Sequence, residues 1–87
     1  MASMLTDQQI LAAVRGAFAP LRCSVEISGH QQKLRLRVFD SSDKTVVTSP
    51  EQMVGAIRNV ESLRAFLEMV RAKVQAKGHQ LGPLRVL

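Results

Sequence analysis

At 87 residues and 46% apolar content, the chain has the length of one domain and enough apolar residues to pack a core. Three Phe with no Trp or Tyr argue against a nucleic-acid reader that stacks bases on aromatic platforms. A formal charge of +5 raises the prospect of polyanionic partners, although charge also serves solubility, and the single cysteine rules out an intramolecular disulfide. No basic residue precedes Arg15 and no run reaches the roughly 18 consecutive apolar residues of a membrane span. The expected protein therefore has no secretory signal and no membrane association, and its expected compartment is the cytoplasm.

The first helix opens on a capping box, with Thr6 as cap, Gln9 three residues on and Asp7 at the positive helix end. Ile10, Val14 and Phe18 recur every four residues with Leu11 and Ala17 beside them, which predicts a helix over about residues 7 to 18. Gly16 is its weak point and Pro20 ends it.

The period then switches to two. Leu21, Cys23, Val25 and Ile27 alternate with Arg22, Ser24, Glu26 and Ser28, the pattern of a strand with one buried face. Gly29 to Gln32 form a turn, and Leu34, Leu36 and Val38 then alternate with Lys33, Arg35, Arg37 and Phe39. A four-residue loop sets Ile27 opposite Leu34, Val25 opposite Leu36 and Cys23 opposite Val38; a two-residue loop keeps the same parity, so the faces are determined either way.

Asp40-Ser41-Ser42-Asp43 has turn composition. Beyond it, Thr45 to Thr48 favour a strand, Ser49-Pro50-Glu51-Gln52 has the form of a helix start, and Met53 to Ile57 read as a strand interrupted by Gly55. A third strand is expected over either 45 to 48 or 52 to 57. In the last helix Asn59 is the expected cap, Leu63, Phe66, Leu67, Val70 and Val74 form the apolar stripe, and Gly78 is the expected stop. Arg64 and Glu68 have ion-pair spacing on its polar side, and Lys73 and Lys77 suit its negative end. The tail, residues 79–87, holds Leu81, Leu84, Val86 and Leu87; it docks on the core, adds a strand or meets a partner. The order helix-strand-strand-(strand)-helix implies a single α+β domain over 1–87, a two-layer sandwich with a small antiparallel sheet.

Ala17 to Cys23, Leu34 to Asp40 and Val70 to Lys73 together resemble a family of small bacterial proteins of unknown function, with Phe18-Ala19-Pro20-Leu21-Arg22-Cys23 the most specific piece. The likeness spans about residues 10 to 75. Members typically have a shorter link before the glycine matched by Gly55, so this chain carries extra residues around Ser42 to Pro50. The match favours Met53 to Ile57 as strand, and it implies no catalytic residues because the family has no assigned activity. The element order also resembles that of double-stranded RNA-binding domains. Their lysine cluster falls here near Arg58 to Arg64, where only those two residues are basic and Glu61 intervenes.

Chemistry is sparse. Cys23 is in phase with Val25 and Ile27, the position of an inert core thiol rather than a nucleophile. His30 in a turn and His79 beyond a helix end do not form a metal-ligand pattern. Asp40 and Asp43 flank a turn and are expected to serve the local backbone. Gly-rich phosphate loops are absent. No catalytic, cofactor or metal residue is assigned. The candidate interaction surface is Arg22, Lys33, Arg35, Arg37 and Phe39 on the outer face of the hairpin. Its bland alternative is a solvated face on which Glu26 pairs with Arg35 or Lys33. An exposed Phe39 and an apolar tail point to a non-enzymatic protein-interaction or self-association module with a protein partner or a homodimer. Nucleic-acid or polyanion binding through the four cations is the alternative.

Overall fold

The computed structural model describes residues 4–29 and 32–84. In chain order these form helix α1 (Asp7–Ala17), strands β1 (Arg22–Ser28), β2 (Lys33–Phe39), β3 (Thr45–Thr48) and β4 (Gln52–Met53), a 3-10 turn at Val54–Ile57, and helix α2 (Val60–Ala76). Both helices cover one face of the antiparallel sheet, giving the expected α+β two-layer arrangement.

The capping box of α1 is formed: Gln9 N–H donates to Thr6 Oγ1 at 3.1 Å and Thr6 N–H donates to Gln9 Oε1 at 2.8 Å. Asn59 caps α2 by accepting from Ser62 N–H at 2.7 Å. That helix stops at Gly78, whose φ of +90° is the left-handed conformation that glycine adopts without strain, and whose N–H donates to Gln75 O at 2.9 Å.

β2 is the centre of the sheet. It pairs with β1 along its whole length in the four-residue-loop register, with Ile27 against Leu34, Val25 against Leu36 and Cys23 against Val38. Its other side is shared, with β3 against Arg37 to Phe39 and β4 against Lys33 and Leu34. Leu34, Leu36 and Val38 are fully enclosed beneath Ile10, Val14, Phe18, Leu63, Leu67, Val70 and Val74. Each such side chain contributes about 1.5–3 kcal/mol of burial.

Two expectations need correction. Residues 45–48 and 52–57 were alternatives for one strand, but both ends of the segment pair with β2: it runs as β3, crosses at Ser49-Pro50-Glu51, and pairs again as β4. The helix start at Ser49 does not form; Ser49 N–H is instead committed to Leu36 O at 2.9 Å. Only Gln52 and Met53 are strand there, and Val54–Ile57 coil into a 3-10 turn that buries Val54 and Ile57. Second, Arg64 and Glu68 make no ion pair; Arg preceding Glu is the less favourable order along a helix. Of the alternatives for the tail, docking is the one that residues 79–84 adopt: they lie against their own core. Leu81 and Leu84 are half-buried on it, and Gly82 N–H donates to Ala19 O at 2.9 Å. Val86 and Leu87 of the tail, and His30 of the hairpin turn, lie outside the described residues.

Two arginines fasten this arrangement. Arg71 donates to Ala17 O and to Gly82 O, the latter at 2.6 Å, tying the end of α1 and the tail to α2. Arg58 reaches Leu5 O at 3.0 Å, Asp7 Oδ1 at 2.7 Å and Gln32 Oε1 at 2.7 Å, joining the start of α1 to the hairpin end and the entry to α2. Its side chain is 17% exposed, so these bonds are largely shielded. Replacing Arg58 with Ala is expected to cost about 2 kcal/mol in urea unfolding, and a loss of no more than about 0.5 kcal/mol contradicts the fastening role.

Candidate interaction surface

The alternation that buries Leu34, Leu36 and Val38 turns Lys33, Arg35 and Arg37 outward, and the β1 register places Arg22, Ser24, Glu26 and Ser28 beside them. The outer-face rows are Arg22 with Phe39, Ser24 with Arg37, Glu26 with Arg35 and Ser28 with Lys33. Thr48 flanks Arg37 from β3. The five expected surface residues thus share one face.

That face is far less basic than its arginines imply. Arg35 Nε donates to Glu51 Oε2 at 2.9 Å, and Lys33 Nζ lies 4.0 Å from Glu51 Oε1. Arg22 pairs with Asp43. The expected pairing of Glu26 with Arg35 or Lys33 does not occur: both turn away from β1, to the carboxylate that the Ser49–Glu51 crossing delivers on the far side of β2. Among the described residues, Arg37 and Glu26 are left without an ion-pair partner. Phe39 is half-buried rather than exposed. It lines, with Ser24, Arg37, Thr48 and Pro50, a shallow groove of about 480 Å³.

The backbone contributes a second feature. Leu36 O accepts from Ser49 N–H, and Gln32 O accepts from Val54 N–H at 3.0 Å, so even-numbered positions of β2 turn their peptide groups away from β1. Antiparallel pairs alternate between bonded and non-bonded, so β1 must exchange its bonds through Arg22, Ser24, Glu26 and Ser28. The N–H and C=O of Cys23, Val25 and Ile27 then face the outer edge, where no strand pairs with them among the described residues. Their side chains, with Leu21, are only half-buried on the helix-covered face. Among the described residues β1 is a seven-residue strand whose outer edge is bare.

The remaining reactive groups do not converge. Cys23 is half-buried, its Sγ 3.8 Å from Val14 O; burial pushes the thiol pKa up, with the nearby positive charge of Arg15 acting weakly the other way. Asp40 accepts from Ser42 N–H at 2.8 Å and Lys44 N–H at 3.0 Å, as its turn composition predicts; the Lys44 bond is the main reason its carboxyl is held below the usual range. Asp43 is instead the partner of Arg22. Among the described residues no cluster of His, Cys, Asp and Glu could hold a metal ion, and no helix is long and apolar enough to cross a membrane. Glu51 and the edge-facing backbone were missed by sequence reasoning. Glu51 had no readable signal because its place depends on the β3–β4 crossing; the edge depended on strand order.

No protein-family model, curated protein or solved structure matches the chain.

The Arg35 hydrogen bond and charge, with Lys33 beyond, hold the Glu51 carboxyl below its ordinary range. A lowered pKa means that the pair is intact above the ordinary carboxylate range and is lost as pH falls through the folded value. Arg35→Gln is therefore expected to raise the Glu51 midpoint in an NMR titration of its side-chain carbon. An unchanged midpoint contradicts the pairing.

Proposed function

We propose that the chain is a small, non-enzymatic, cytoplasmic protein-interaction module that engages protein partners by strand addition along β1. The observation that carries this reading is the bare edge. Proteins normally blunt an edge strand with charged side chains, proline, a bulge, an inward charge or a covering segment. Among the described residues β1 has no proline, bulge, inward charge or covering segment along Arg22–Ser28; its two charges, Arg22 and Glu26, lie on the outer face, and it offers the outward peptide groups of Cys23, Val25 and Ile27 above a half-exposed apolar row. Such an edge supplies main-chain hydrogen bonds for affinity and alternating side chains for selectivity.

Two of the original grounds for an interaction role carry less weight, since Leu81 and Leu84 pack on their own core and Phe39 is half-buried. The edge replaces them. Polyanion binding by Arg22, Lys33, Arg35 and Arg37 has weaker support, because Asp43 and Glu51 already occupy three of those four cations. The non-enzymatic part of the reading fits a thiol whose pKa burial raises, the opposite of an activated nucleophile, and a lone thiol suits a reducing compartment.

Val25→Pro removes the edge-facing N–H at the middle of β1 without removing a β1–β2 bond, and Ile27→Lys places a charge on the half-exposed apolar row. Both variants are expected to lose the proteins retained by the wild-type chain from its own cell extract while keeping the wild-type circular dichroism spectrum. Retention that survives both lesions, or that Arg35→Gln with Arg37→Gln abolishes together with nuclease treatment, contradicts strand addition and favours polyanion binding.

A further inference from the structure

We propose that the strand received by β1 is β1 of a second copy, paired antiparallel about a two-fold axis at Ser24. This rests on the strand-addition reading and specifies its partner. A two-fold dimer uses the same patch twice, so two β1 edges meeting this way are necessarily antiparallel. Because the edge-facing peptide groups belong to Cys23, Val25 and Ile27, odd-numbered positions of the two copies must oppose one another. That parity puts the axis on a residue, and the side chains then choose which.

An axis at Arg22 sets that arginine against itself, and an axis at Glu26 sets two carboxylates together. Like charges directly opposite destabilise a strand pair. An axis at Cys23 faces Arg22 with a serine and Glu26 with Pro20, and one at Val25 faces both charges with serines. Only the axis at Ser24 opposes Arg22 to Glu26 of the partner subunit, and symmetry makes that pair twice. Glu26 is also the carboxylate on this face left without an ion-pair partner among the described residues. Arg22 can serve it while keeping Asp43, since a guanidinium carries five donors. On the helix-covered face the same axis brings Cys23 against Val25 and Leu21 against Ile27. These are the three half-buried residues of β1 and Leu21 just before it, at the margin of the core. The result is one continuous sheet through both copies, with the charge pattern acting as its register key.

Sedimentation velocity over about two decades of concentration reads the association constant directly. The wild-type chain is expected to dimerise reversibly. Arg22→Glu places carboxylates opposite Glu26 of the partner subunit at both sites, and is expected to weaken the dimer by at least roughly tenfold. Arg22→Glu combined with Glu26→Arg recreates both pairs in reverse and is expected to restore it, which distinguishes a register key from a general loss of stability. A cysteine arm is independent of these charge changes. Val25→Cys, with native Cys23 present, is expected to give an oxidised dimer in which peptide mapping joins Cys23 to the introduced thiol. The same substitution with Cys23→Ser is expected to give no cross-link, because the introduced thiols then lie on a diagonal beyond disulfide reach.

A wild-type chain that remains monomeric throughout overturns the dimer. Partner retention sensitive to Val25→Pro would then still stand for strand addition to another protein. A dimer indifferent to Arg22→Glu, a double exchange that fails to restore it, or a cross-link between two introduced thiols each overturns the Ser24 register.

Discussion

The interaction on which this molecule depends is the burial of Leu34, Leu36 and Val38 on the inner face of β2. These side chains are sealed beneath α1 and α2, and every other strand takes its position from the strand that carries them. β1 is bound along one side for its full length. The other side is filled in two pieces, β3 and β4, with the Ser49–Glu51 crossing between them. A shift of β2 by one residue would turn three core side chains to water and three cations to the core, so its alternation fixes which face is buried.

Both features of the outer surface follow from that placement. The crossing that lets β3 and β4 share one side of β2 also brings Glu51 over the face, where it draws Lys33 and Arg35 away from Glu26. With Asp43 on Arg22, a face with four cations becomes one of mixed charge. Meanwhile β2 is satisfied on both sides, which among the described residues leaves the peptide groups of Cys23, Val25 and Ile27 unpaired on the β1 side of the sheet. The edge is a consequence of where the core strand lies, and the unpaired Glu26 beside it follows from the preference of Arg35 for Glu51. Arg58 and Arg71 act on a different level: they hold the helix ends, tail and hairpin together and take no part in that surface.

Local signals carried much of the fold. The Thr6–Gln9 capping box, the Asn59 cap, the Gly78 stop and the period-two hairpin are all formed as the residues imply, including the four-residue-loop register, because each depends on neighbours within one element or one turn. The segment from Thr45 to Ile57 was legible only as a pair of alternatives. Its strand halves satisfy β2 at separate places, and nothing local says that both will be used or that Gly55 will sit in a 3-10 turn. The outward direction of Arg22, Lys33, Arg35 and Arg37 was equally legible. Their partners were not, since Glu51 and Asp43 reach them through tertiary placement. Arg58 shows the same limit from the other side: as sequence it is one basic residue near a cap, and in the fold it meets groups from three separate segments.

The central claim is that β1 presents a free edge that another strand can take up. Residue-resolved amide hydrogen exchange tests it most directly, because one strand carries both outcomes: Ser24 and Glu26 donate to β2, while Cys23, Val25 and Ile27 donate to the edge. In dilute protein the amides of Val25 and Ile27 are expected to exchange rapidly while those of Ser24 and Glu26 stay protected, with Val25 and Ile27 becoming protected as concentration rises. Equal protection of all four in dilute protein would mean that the edge is already covered by the chain itself, and would contradict the account.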